Sequence, residues 1–266
     1  VRSSTEAHWT RFWRERAAID EVYPTAGRVA ERILEEGPVD GTRVLEVGAG
    51  SGRDSVALAE KGATVVLLDY SMASLEVSRE VARRSGVRPL LVRADALRMP
   101  FREGTFDAVF HQGLLEHFRD PMPLLRENVR SLRADGILLV DVPQRYHLYT
   151  AAKHVLIAMG KWFAGWETEF TIGQLTGLLT RAGVRVTRRY GAFMVPGLAY
   201  RSLRLGLLKL GLAKLPLEPP RVPLVTPISE GLRSAWERTP LAFHTYFVIG
   251  AVGRKGPAAG AGAPRG

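Results

Sequence analysis

Gly48, Gly50 and Gly52 alternate in a turn between the apolar run Arg43–Val47 and a helical pattern. Glycines at that junction, with Ala49 between them, let backbone N–H groups approach a ligand at a helix start. Asp69 ends the next apolar run, where a carboxylate can accept both hydroxyls of a nucleoside's ribose. Glu46 stands at the strand end before the turn. A carboxylate there suits a ligand with an amino-acid moiety and a positive centre better than one with two phosphates. A dinucleotide fingerprint would need a third glycine three residues after the second, and that position is Arg53. Groups able to take up a proton follow at the ends of later runs: His111, Glu116, His117, Tyr146 and His147. His111 and His117 are the catalytic candidates. His111 directly follows a strand, and so is also expected to face the cofactor with Gln112.

The elements that must position these groups alternate strand and helix. Strands are expected at 43–47, 64–68, 88–93, 106–110 and 136–141, with helices at 53–61, 71–84 and 121–133 between them. Ser71 reads as a helix N-cap and Gly62 as a helix stop. Short apolar runs alternating with helices imply βαβ units and a doubly wound, mostly parallel α/β sheet. Beyond Val142 the rhythm breaks. A helix over 171–182 and strands over 184–193 and 243–252 follow, with a Leu-, Pro- and Arg-rich insertion before the last strand. Both carboxylates, Asp69 and Asp95, then stand at the carboxyl ends of strands, where open α/β sheets bind ligands.

The motifs carry a resemblance. The run Val44-Leu45-Glu46-Val47-Gly48-Ala49-Gly50-Ser51-Gly52 resembles motif I of class I S-adenosylmethionine-dependent methyltransferases, of the small-molecule type 11 kind. Leu67-Leu68-Asp69-Tyr70-Ser71 resembles their second motif. Ala94-Asp95-Ala96-Leu97-Arg98-Met99-Pro100-Phe101 is similar to the segment after the third strand. The segment from Phe106 to Gln112, with Leu115-Glu116-His117, resembles the fourth-strand motif, and 132–140 the turn into strand five. The resemblance implies a seven-stranded Rossmann-like sheet with an antiparallel last strand, S-adenosylmethionine as cofactor, and methyl transfer as the reaction. It assigns Asp69 to the ribose and Asp95 to the adenine amino group. Glu46, Gly48, Ala49, Gly50, Gly52, Tyr70, Ser71, Ala96, His111 and Gln112 complete the expected cofactor-binding set. Methyl transfer from a sulfonium is an in-line displacement, so much of the catalysis can come from alignment.

Composition sets the remaining bounds. The 266 residues are 46% hydrophobic and include no cysteine, which excludes thiolate metal sites, disulfides and cysteine nucleophiles; no metal site is expected. Residues 1–20 show no apolar signal core, and no run reaches the roughly 18–20 apolar residues of a membrane span. The expectation is a cytoplasmic protein, peripheral at a membrane. The net charge of +10 is uneven: residues 1–170 hold 23 basic and 24 acidic side chains, residues 171–266 hold 14 and 3. The chain divides into an N-terminal helical lid (1–40, with Trp9, Phe12, Trp13 and Tyr23), a cofactor-binding core (41–194), an apolar basic insertion (195–240), a last strand (241–253) and a tail (254–266). In the insertion, 198–215 interleaves leucines with Arg201, Arg204 and Lys209, as an interfacial helix does. A small-molecule or lipid-like acceptor is expected. An RNA methyltransferase holding phosphates with its basic third, and a cofactor-binding protein without catalysis, are the alternatives. The basic segment has Tyr200 as its only aromatic between Pro196 and Lys214, a poor platform for stacking bases.

Overall fold

The computed structural model describes residues 5–15, 27–162, 166–221, 223 and 225–256. Tyr23 and most of the expected tail, 257–266, lie outside them. The described elements run α1 Glu6–Glu15, α2 Arg28–Leu34, β1 Arg43–Val47, α3 Arg53–Ala59, β2 Thr64–Asp69, α4 Met72–Arg84, β3 Leu90–Arg93, β4 Phe106–Gln112, α5 Met122–Ser131, β5 Leu132–Pro143, α6 Leu148–Ala158, α7 Ile172–Arg181, β6 Val184–Ala192, α8 Leu198–Lys209, α9 Val225–Glu237 and β7 Val248–Lys255. The strands form one sheet of order β3-β2-β1-β4-β5-β7-β6. Only β7 runs against the others, paired antiparallel with both β5 and β6.

Strand alternation sends side chains to two helical layers. Leu45, Val47, Val109 and Leu138 join Leu124, Leu125, Leu175 and Leu179 of α5 and α7 in one core. Val44, Ala108, Phe110 and Leu139 join Val29, Ile33 and Leu58 of α2 and α3 in the other. Local signals fix several helix starts. Ser71 caps α4 by accepting the Ser74 N–H, and Thr171 with Gln174 forms a capping box on α7.

Three expectations are corrected. Strand β5 begins at Leu132, inside the expected helix, because α5 ends at Ser131; the left-handed Asp135 (φ 58°) lies within the strand, ahead of its continuous pairing with β4 from Ile137. The last strand starts at Val248 rather than 243: Pro240–His244 forms a 3-10 turn, and the strand extends through Arg254 and Lys255, which were assigned to the tail. Gly250 fixes this register, since a Cβ there would lie 2.1 Å from the Tyr190 ring. Third, the expected 1–40 lid is not one unit, because α2 buries Val29, Ala30 and Ile33 in the sheet core.

Charged groups lock α2 down. Arg28 Nε donates to the buried Asp141 at 2.8 Å, and Tyr190 Oη reaches the same carboxylate oxygen at 3.2 Å. Burial raises the Asp141 pKa even with Arg28 beside it. Removing Arg28 therefore strands a buried carboxylate, whereas removing both partners does not. Arg28→Met is expected to cost about 3–5 kcal/mol in urea denaturation at neutral pH. The loss should shrink at acid pH, where the stranded carboxyl can protonate, and Arg28→Met with Asp141→Leu should regain most of it.

Candidate active site

The carboxyl ends of β1, β2 and β4 open on a cavity of about 340 Å³. Its walls include Glu46, Gly48, Ala49, Gly50, Asp69, Tyr70, Asp95, Ala96, Gln112 and His117. These residues come from four separate strand ends and the turns after them. Gly52 and Ser71 do not line it but shape its frame. Gly52 is the left-handed N-cap of α3 (φ 67°) and Ser71 caps α4.

The glycine turn is held by its neighbour. Asp69 accepts the N–H of Gly50 (3.2 Å), the N–H of Ser71 (2.8 Å) and the hydroxyl of Ser74 (2.7 Å). The Gly50 carbonyl in turn accepts the hydroxyls of Ser74 and Ser78, both at 2.9 Å. Gly50 sits at φ 55°, and a Cβ on it would fall 2.9 Å from the Trp13 ring of α1. The position needs glycine twice over, for its backbone and for the indole above it. Burial raises the Asp69 pKa above the usual carboxylate value, against the lowering pull of Ser71, Ser74 and Gly50.

Glu46 is almost wholly buried, and its Oε2 has no hydrogen-bond partner within the protein. Burial, with Asp54 and Asp69 nearby, holds its carboxyl well above the usual range. A cationic ligand group beside it would favour the ionised form. Asp95 is exposed and its Oδ1 accepts the Leu97 N–H at 2.9 Å, which leaves the other oxygen to the cavity wall.

The two catalytic candidates separate. His117 lines the cavity, with its ring edge-on to Trp9 (centroids 4.9 Å apart). Burial lowers its pKa, while Glu167 raises it and Lys153 lowers it, so the ring is neutral at pH 7 and can accept a proton. His111 does not reach the cavity. On β4 it alternates with Gln112: Gln112 turns to Asp54, while His111 points with Val109 to the opposite layer. It is fully buried, neither ring nitrogen has a partner, and burial alone pushes its pKa down to about 3. Tyr146 and His147 also stay off the wall; His147 caps α6 by accepting the Tyr149 N–H. Glu116 is buried behind His117 with burial raising its pKa.

Sequence reasoning missed Asp54, which accepts the N–H groups of Gly27 and Ala30 at the start of α2 and the side-chain amide of Gln112. It also missed the buried Lys153, whose Nζ meets Glu167 at 2.5 Å and Glu169 at 2.7 Å. A single lysine in the apolar 148–158 helix, followed by Glu167-x-Glu169, was the available signal.

Comparisons with known proteins agree with this geometry. A methyltransferase-domain family model matches residues 45–140. The chain is 33% identical over 133 residues to methyltransferase GfsG of Streptomyces halstedii, covering 48% of each chain. It is 29% identical over 176 residues to a ubiquinone biosynthesis O-methyltransferase of Dinoroseobacter shibae (64% of this chain, 71% of that one). It is 40% identical over 104 residues to a demethylmenaquinone methyltransferase of Clavibacter sepedonicus (39% and 42%). The chain thus spans about half the length of GfsG and of the Clavibacter enzyme. The fold matches a Thermotoga maritima S-adenosylmethionine-dependent methyltransferase, possibly a histamine N-methyltransferase, with a TM-score of 0.61, 19% identity and coverage of 94% and 98%. Residues 45–140 thus match a methyltransferase domain, and the sheet has the fold of S-adenosylmethionine-dependent methyltransferases.

Two measurements follow. Asp69→Asn keeps the side chain's size but removes its charge, and should weaken S-adenosylmethionine binding by about 10- to 100-fold in calorimetry, the worth of hydrogen bonds to a charged group. His111 makes the fold acid-sensitive. Between pH 6.5 and about 3 the unfolded chain binds a proton that the folded chain refuses, so stability falls as pH falls. The slope for this one group is about 1.4 kcal/mol per pH unit. In His111→Gln, denaturation between pH 6 and 4 should lose about that much of its pH slope.

Proposed function

We propose that the chain transfers a methyl group from S-adenosylmethionine to a small, apolar, quinone-type acceptor, with His117 taking up the acceptor's proton. The observation that carries this is the meeting, on one cavity wall, of the Gly48–Ser51 turn, the Asp69 carboxylate and a half-buried neutral histidine. The residues present fit the cofactor's three parts. Asp69 would hold the ribose and Asp95 the adenine edge. The Glu46 carboxylate, whose Oε2 is without a partner, would face the amino-acid end beside the backbone of the glycine turn. When bound, S-adenosylmethionine supplies an electrophilic methyl carbon whose leaving group is a neutral thioether.

The chain's own work is then to bind, align and dry the site. Trp9 and Trp13 of α1, with Leu114 and Phe118, give the cavity an aromatic and aliphatic side suited to a flat apolar acceptor. With Trp13 over Gly50, α1 acts as the lid that excludes water. A ring nitrogen of His117 would take up the proton of the acceptor's hydroxyl or carbon acid as the acceptor is methylated. The curated relatives named for ubiquinone and menaquinone support the acceptor class.

His117→Asn is expected to lower kcat by about 10²- to 10⁴-fold while S-adenosylmethionine binding stays within about 3-fold, since the cofactor contacts lie elsewhere. Wild-type activity in the variant would remove the histidine from the chemistry. Label from methyl-labelled cofactor should enter the lipid fraction of a bacterial extract. Label in RNA instead would favour the nucleic-acid reading, and binding without any transfer the non-catalytic one.

A further inference from the structure

Among the described residues, eighteen large apolar side chains are exposed, and fifteen of them lie between 146 and 241. They concentrate on the three helices that the sheet does not cover. The helix α8 buries no residue. The helix α6 buries only Thr150 and Lys153 and turns Leu148, Val155 and Met159 outward, at i, i+7 and i+11. In α9 every residue from 227 to 237 is exposed, including an Ile228, Leu232, Trp236 stripe at i, i+4, i+8. Such stripes normally face a core, and here they face outward.

The topology gathers all three at one edge. Both β5 and β6 run parallel to β1, so α6 and α8 emerge at their carboxyl ends. The antiparallel β7 starts at that same edge, where Val248 pairs with Pro143 and with Ala192, so α9 enters there too. The cofactor cavity opens at the carboxyl ends of β1, β2 and β4, on that edge.

Charge selects the occupant. No acidic residue occurs from 143 to 162 or from 195 to 217, where Arg201, Arg204, Lys209 and Lys214 stand on and just after α8, while α9 carries Arg233 beside Glu230 and Glu237. A twofold pairing with another copy would set this cationic face against itself, with like charges opposed. An anionic lipid surface is complementary to both the charge and the leucines, because basic side chains can reach the headgroups while the apolar stripes enter the acyl boundary. Among the described residues no helix is long and apolar enough to cross a membrane, so the contact would be peripheral.

We propose that the outer faces of α6, α8 and α9 rest on an anionic bilayer, placing the cavity edge where a lipid-soluble acceptor can enter. The route for the acceptor rests on the quinone-type reading above; the surface contact does not. The test is flotation of the full chain with vesicles of phosphatidylcholine containing about a third phosphatidylglycerol, against phosphatidylcholine alone, with S-adenosylmethionine binding measured on the same samples. Lys209→Glu with Lys214→Glu and Arg233→Glu reverses three exposed charges, and Leu205→Glu with Leu232→Glu breaks two exposed stripes. The expected result is flotation with anionic vesicles only, reduced at least tenfold in both variants, with cofactor binding unchanged. Absence of flotation, or equal flotation of the charge-reversed variant, overturns the proposal. So does a concentration-dependent dimer in light scattering that the leucine variant dissociates, since the face then belongs to a second copy. Flotation without cofactor binding would leave the surface standing and remove the methyl-transfer reading instead.

Discussion

The carboxylate of Asp69 is the constraint on which the site depends. It accepts from Gly50, Ser71 and Ser74 at once, joining the turn after β1, the end of β2 and the start of α4. The Gly50 carbonyl returns the connection to Ser74 and Ser78. This circuit satisfies the N–H and carbonyl of Gly50, while the Gly48 and Ala49 N–H groups pair with the Leu68 carbonyl of β2. It also fixes a carboxylate at the cavity wall at the expense of its solvation, which is why its pKa rises despite three donors. A site built this way is rigid before ligand arrives, as alignment-dominated chemistry requires.

A second set of charges holds the N-terminal elements over that rigid frame. Asp54 anchors the start of α2 and reaches Gln112, while Arg28 pairs with Asp141 under Tyr190. Further out, α1 is attached through Thr10 to Ser71 and through Glu6 to Arg93, both contacts at the edge of the cavity. The two helices differ in physical character. Three apolar residues of α2 are in the core, whereas α1 buries none and touches the cavity with its indoles.

Much of this was legible in the sequence. Period-two and period-3.6 patterns located β1, β2, α4 and α7 within a residue or two, because those elements carry their own caps and apolar faces. The Gly48–Gly52 turn and Asp69, singled out by their spacing, do meet, with Asp69 accepting the Gly50 N–H at the cavity. What escaped was non-local. Strand β5 takes in a left-handed Asp135, and Tyr190 lies across Gly250 within β7, features that no local pattern marks. The two neighbours His111 and Gln112 were both expected at the cofactor, although strand alternation lets only one of them face it. Asp54 and Lys153 looked like ordinary helix charges, and their partners at 27–30, 112, 167 and 169 are visible only once the chain has folded.

Of the net +11 in residues 171–266, +4 lies in the 195–240 insertion, and the rest stands on α7, on β6 and from the end of β7 onward. The methyl-transfer reading presupposes that the cavity is a nucleoside site. A crystal structure of the chain with S-adenosylhomocysteine tests that most directly. The ribose hydroxyls should lie within about 2.6–3.2 Å of the Asp69 carboxylate, with the amino group beside Glu46 and the sulfur facing the His117 side. A ligand bound elsewhere, or a ribose that makes no contact with Asp69, would contradict it.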